Sequence, residues 1–123
     1  MNNNKILIDT RILAALLDGN SEISSFLQGK DVHISIITEM ELLGNASLDT
    51  KKIVLLKRII REFTVISLTD SVKERAIILG HEFGVNLDEA IKAASAIEKH
   101  IPMCSSNKNL SKISQLDLLL IHL

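Results

Sequence analysis

Lys5-Ile6-Leu7-Ile8-Asp9-Thr10-Arg11-Ile12-Leu13-Ala14-Ala15-Leu16-Leu17 passes from one kind of periodicity to another with no loop between them. Ile6, Leu7 and Ile8 are apolar on consecutive positions, the pattern of a strand covered on both faces. Ile12, Leu13, Leu16 and Leu17 then repeat at helical spacing. A strand that runs straight into a helix, with an aspartate at the joint, is the opening unit of a layered α/β domain.

The rest of the chain repeats that unit. Four further short runs, at 32–37, 64–68, 101–104 and 117–121, are rich in Ile, Leu and Val and read as buried strands. Between them lie helical spacings: Ile53, Leu56, Ile60 and Phe63; Val72, Ala76, Leu79 and Phe83; Leu87, Ile91, Ala94 and Ile97. Ile23, Phe26 and Leu27 suggest one more short helix. Strands separated by helices call for crossovers, so the expected architecture is a three-layer α/β/α domain with a mainly parallel five-stranded sheet. No repeat or linker divides the sequence, and residues 1–123 read as one domain.

Bulk properties set outer limits. The chain has 123 residues, 46% of them hydrophobic and 24% charged, too apolar for a disordered chain and long enough for a core. No apolar run approaches the roughly 18–20 residues that span a bilayer. The start, Met1-Asn2-Asn3-Asn4-Lys5, does not read as a signal peptide. With Cys104 the only cysteine, no internal disulfide forms, and a reducing cytoplasm is the expected location. Net charge is −1, with no Trp or Tyr, so binding through a large basic patch or stacked aromatics is not indicated. A protein that grips phosphate through a bound cation needs neither.

In a parallel sheet, ligands gather beyond the carboxyl ends of the strands. Polar residues stand at four such junctions: Asp9; Glu41 within Thr38-Glu39-Met40-Glu41; Asp88 and Glu89 after Gly84-Val85-Asn86; Asn107 and Asn109 after Ser105-Ser106. Each has a local explanation. Thr38 with Glu41, and Asn86 with Glu89, form capping-box patterns; Asp88 suits a helix first turn; Asp9 and Asn107 suit N-caps. Collectively they offer hard oxygen ligands of the kind that suits Mg²⁺ or Mn²⁺. Glu39 and Glu41 fall on nearly opposite helix faces, and Glu41 is the one expected to face such a site.

The motifs resemble those of PIN domains of the bacterial VapC toxin type. Ile6-Leu7-Ile8-Asp9-Thr10 is similar to their opening Asp-Thr motif, and Ile34 to Gly44 to the second, where the family glutamate matches Glu41. Leu87-Asp88-Glu89-Ala90-Ile91-Lys92-Ala93-Ala94-Ser95-Ala96 resembles the third, usually Leu-Pro-Asp-Ala-Ile-Ile-Ala-Ala-Thr-Ala, with the family aspartate on Glu89 and its proline on Asp88. Ser105-Ser106-Asn107-Lys108-Asn109-Leu110 resembles Thr-x-Asp-x-Asp-Phe. The resemblance implies a Mg²⁺- or Mn²⁺-dependent endoribonuclease in which Asp9, Glu41 and Glu89 are catalytic, and these three with Asn107 hold the metal. Thr10, Arg11, Thr38, Asp88, Ser105 and Asn109 would support the metal set or touch substrate. It also implies an RNA substrate, an antitoxin partner and a homodimer.

Three departures from that pattern touch the expected metal set or its immediate surroundings. Glu89 is one methylene longer than aspartate, and Asn107 and Asn109 replace acids. Arg11 stands where a small polar residue is expected. Turned inward, its guanidinium could pair with Asp9, Glu41 and Glu89 and replace the metal; turned outward, it is an ordinary surface residue. Asp88 and Glu89, about 100° apart on a helix, are not expected to reach one ion together. Two functions stay open: an active ribonuclease toxin, and a PIN-fold binding or regulatory protein with weakened or lost metal chemistry. His33, His81, His100 and His122 read as surface residues, and Cys104 as a small core residue. Lys51, Lys52, Lys57, Arg58 and Arg61 read as a solvated helix face or an RNA contact. The apolar residues of the 49–63 helix exceed one stripe, which suits either a subunit interface or cover by a neighbouring helix.

Overall fold

The computed structural model of the protein describes residues 4–123; the leader reading of the N-terminal stretch falls mostly outside them. Five strands, β1 (Lys5–Ile8), β2 (Asp31–Ser35), β3 (Thr64–Ile66), β4 (Met103–Ser105) and β5 (Leu118–Leu120), form one sheet in the order β3-β2-β1-β4-β5, every pair parallel. Six helices accompany it: α1 (Thr10–Leu17), α2 (Ser21–Leu27), α3 (Ile36–Leu43), α4 (Thr50–Arg61), α5 (Asp70–Phe83) and α6 (Leu87–Lys99). A short 3-10 helix, Lys108–Lys112, links β4 to β5.

Alternate side chains of each strand feed two separate cores. Leu7 and Met103 meet Val72, Leu79, Ala90 and Ala94 of α5 and α6 on one face. Ile6, Ile8, Val32, Ile34 and Cys104 meet Ile12, Leu13, Ile23, Leu42, Leu56 and Ile60 of α1 to α4 on the other. Full burial of one such Leu or Ile stabilises the fold by about 1.5–3 kcal/mol, so the apolar strand runs are explained by cover on both sides. α3 sits between the layers, with Ile37 against the first core and Leu42 in the second.

Several sequence expectations need correction. The 32–37 run is strand only to Ser35; Ser35 Oγ accepts the N–H of Ile37 and starts α3 there, so Ile36 and Ile37 are helical. Thr38 is consequently no cap but a buried residue inside α3. Asn86 precedes α6 without a side-chain cap bond. The run at 101–104 pairs only from Met103 and extends to Ser105. His33 is buried rather than superficial, its Nδ1 3.1 Å from the Asp31 carbonyl. On α4, Val54 and Leu55 are 52% and 39% exposed, so cover by a neighbouring helix does not explain them.

Candidate active site at the strand switch point

The chain passes from β1 to β2 on one side and places β4 on the other, so the strand order reverses at β1. A crevice opens beyond the strand ends at such a reversal. Asp9 is the first residue after β1 and stands at that crevice, 3% exposed. Its Oδ1 accepts the N–H of Ile12 at 3.0 Å, which caps α1, and its Oδ2 accepts the hydroxyl of Ser105 at the end of β4. The capping role is therefore real, and each of the two carboxylate oxygens accepts one hydrogen bond. Ser105 Oγ in turn accepts the N–H of Asn107 at 3.0 Å.

A second chain of bonds crosses the groove. The hydroxyl of Thr10 donates to Glu41 Oε1 at 2.6 Å and lies 3.1 Å from the hydroxyl of Thr38. Thr10 has one hydroxyl proton and commits it to Glu41, so Thr38 donates to Thr10. Glu41 points into the groove because α3 begins immediately at Ser35. Glu39 lies elsewhere, lining a shallow depression with Leu43, Lys57, Ile60 and Arg61.

The cation among these acids is one the sequence reading did not single out. Lys92, 2% exposed, extends from α6 so that its Nζ lies 2.9 Å from Glu41 Oε1, 3.5 Å from Glu89 Oε1 and 3.9 Å from Asp88 Oδ2. Asp88 and Glu89 are four and three residues before Lys92, which brings all three onto one side of the helix. A long, flexible side chain lets the Lys92 ammonium reach between Asp88 and Glu89. Burial by itself lowers the pKa of Lys92, but the hydrogen bond to Glu41 and the charges of Glu89, Glu41 and Asp88 outweigh it and hold the ammonium above its ordinary range.

Together these residues line a groove of about 460 Å³: Asp9, Thr10, Arg11, Glu41, Asp88, Glu89, Lys92, Ser106, Asn107 and Lys108. Arg11 is exposed at the rim, and among the described residues no ion pair joins it to the acids. The inward arrangement weighed for Arg11 is taken by Lys92 instead. Asn107 uses its Oδ1 to accept the N–H of Asn109 at 3.0 Å, and Asn109 does not line the groove. Thr38 and Ser105 lie buried behind Thr10 and Asp9. Glu89 Oε2 is buried without a hydrogen-bond partner among the described residues.

The sequence matches the PIN domain family over residues 6–116. The chain belongs to the PIN domain family. No curated protein sequence matches it. Among solved structures, this PIN domain is similar to a chain of a toxin–antitoxin complex from Klebsiella pneumoniae, with a TM-score of 0.84, 24% identity, and cover of 96% of this chain and 99% of that one. It is also similar to a chain of VapBC2 from Rickettsia felis bound to a promoter DNA fragment, with a TM-score of 0.83, 16% identity and cover of 94% and 98%. A chain of DNA-bound VapBC from Salmonella typhimurium gives a TM-score of 0.81 at 16% identity, with cover of 97% and 98%. In the third PIN motif quoted above, the position of Lys92 carries isoleucine. The sequence did carry a signal for the ammonium: Lys92 is the lone charge in Ala90-Ile91-Lys92-Ala93-Ala94, all of them buried.

Proposed function

We propose that this PIN domain is the toxin-type member of a toxin–antitoxin pair and that its groove engages RNA. The observation that carries the reading is the convergence of Asp9, Glu41 and Glu89, from three separate segments, on one open groove at the strand switch point. Arg11 and Lys108 line the same groove and are exposed, where a phosphodiester backbone would meet them first. The solved complexes it resembles supply the expectation of an antitoxin partner. A homodimer is part of the same reading, with exposed Val54 and Leu55 on α4 as candidate contact residues. Among the described residues no helix is long and apolar enough to cross a membrane.

The activity that the motifs imply is RNA hydrolysis by water activated on Mg²⁺ or Mn²⁺. The donor set as arranged does not fit that ion. Lys92 Nζ already lies 2.9 Å from Glu41 Oε1, 3.5 Å from Glu89 Oε1 and 3.9 Å from Asp88 Oδ2, so an ammonium holds the place among the acids that a divalent ion would need. Among the described residues no group of three His, Cys, Asp or Glu side chains has an arrangement that could hold a metal ion. The geometry supports a protein that binds RNA or antitoxin in this groove and cleaves poorly. A fully active metal-dependent ribonuclease is the second reading, favoured by the retained carboxylates and the partnerless Glu89 Oε2.

One experiment separates these. The purified full chain is incubated with total tRNA in Mn²⁺ or Mg²⁺, beside Asp9→Ala and the Arg11→Ala/Lys108→Ala pair. Salt-sensitive RNA binding that weakens in the paired variant, with little cleavage, supports the first reading. Efficient cleavage that Asp9→Ala abolishes establishes the second. RNA neither bound nor cleaved refutes both.

A further inference from the structure

We propose that Lys92 is a tethered substitute for the divalent cation, so that this PIN domain's acidic groove is neutralised by its own chain and takes up Mg²⁺ or Mn²⁺ poorly. The ammonium lies 2.9 Å from one family-motif acid and 3.5 Å from another, and Asp88, which stands where the motif carries proline, adds a third carboxylate at 3.9 Å. It is the acids, not solvent, that balance its charge: Lys92 is buried, and lysine is almost never fully buried unless paired.

Other roles for Lys92 fit less well. A general base needs room to reach a substrate proton, and this amine is buried with three carboxylates packed around its Nζ. A phosphate contact needs an exposed head group, which Arg11 and Lys108 offer at the rim and Lys92 does not. A structural lysine in an apolar core would lack partners; this one has three acids, two of them at positions assigned by the motifs to the metal. A divalent ion entering the groove must displace an ammonium that cannot diffuse away. Each carboxylate it recruits from Lys92 leaves a buried positive charge less well paired, which costs free energy.

The inference concerns metal affinity and stands apart from whether RNA is cleaved; only its last readout rests on the ribonuclease reading. Mn²⁺ is titrated calorimetrically into the full chain, wild type, Lys92→Met and Lys92→Arg. Methionine keeps the length and apolar stem and removes the charge; arginine keeps the charge. The expected result is wild-type binding no tighter than millimolar, Lys92→Arg equally weak, and Lys92→Met tighter by at least about tenfold, or 1.4 kcal/mol. Mn²⁺ should also raise the melting temperature of Lys92→Met and leave the wild type unmoved. If Lys92→Met is unfolded without metal, millimolar Mn²⁺ should restore its circular dichroism; failure to do so overturns the proposal. Micromolar Mn²⁺ binding by the wild type, or equal affinity in wild type and Lys92→Met, also overturns it. Metal uptake by Lys92→Met without RNA cleavage would leave the proposal standing and sink the ribonuclease reading instead.

Discussion

Lys92→Met, combined with Glu41→Gln in a double-mutant cycle, measures what the ammonium contributes to folding. The Lys92–Glu41 contact is 2.9 Å, with the lysine side chain 3% and the glutamate side chain 32% exposed. A hydrogen bond to a charged partner contributes about 1.5–3 kcal/mol, and breaking a fully buried pair costs about 3–5 kcal/mol. Solvent reaches Glu41, which screens the pair and puts the expectation toward the lower range. Removing the desolvated ammonium returns part of the loss, but Glu41 and Glu89 remain and repel one another, so destabilisation wins. The expected cost of Lys92→Met is about 2 kcal/mol. Glu41→Gln keeps a hydrogen-bonding group for Thr10 and should cost less. Urea denaturation followed by circular dichroism provides the assay; at a slope of about 1–3 kcal/mol per molar, the midpoint should fall by roughly 1 M. A coupling energy below about 0.5 kcal/mol, or a Lys92→Met protein as stable as the wild type, would show that the acids do not need this lysine.

Thr10→Val removes the donor to Glu41 and strands the Thr38 hydroxyl, so a loss of about 1–3 kcal/mol in thermal or urea melts is expected, with Thr10→Ser close to wild type. Burial, followed by the charge of Asp9, pushes the Cys104 thiol up to about 11 from 9.0. The unfolded thiol therefore ionises first as pH rises. The stability it contributes is complete below pH 9 and is lost toward pH 11, and a disulfide reagent at pH 8 should label Cys104 only after unfolding. Labelling of the native protein as fast as of the urea-unfolded chain would contradict this. Gly84 closes α5 in the left-handed region at φ 67°, so Gly84→Ala should cost about 1 kcal/mol and Gly84→Asn less, read from the same melts. An alanine variant with unchanged stability would argue against that backbone conformation.

Much of this architecture was legible in the sequence because burial on two faces leaves a direct mark. Ile6-Leu7-Ile8 and the later apolar runs read as strands with helices on both sides, and Asp9 at the end of β1 fell where a parallel sheet opens; Asp88 and Glu89, expected at a strand end, instead open α6 directly after α5 with no strand between. What stayed hidden depended on chain direction after those ends. Whether Arg11 faced inward hinged on the entry angle of α1, which Asp9 fixes by capping Ile12. Thr38 matched a capping box by spacing, yet Ser35 had already started the helix three residues earlier. His33 was read from its polarity, although a central strand leaves no exposed position there. Lys92 was overlooked for a different reason. Helical periodicity sorts residues by where an apolar stripe runs, and a lysine inside that stripe has no meaning until the acids from another element arrive opposite it.

Glu41 has one further consequence. It accepts a hydrogen bond from Thr10 on α1 and faces the ammonium of α6, and those two helices pack on opposite sides of the sheet. One carboxylate therefore buckles the two outer layers together beyond the strand ends, where no backbone ladder runs between them. A partner or polyanion that drew Glu41 away would loosen the first turn of α1 and the second turn of α6 at the same moment. In amide exchange those two turns should open as a single unit despite lying about eighty residues apart in the chain.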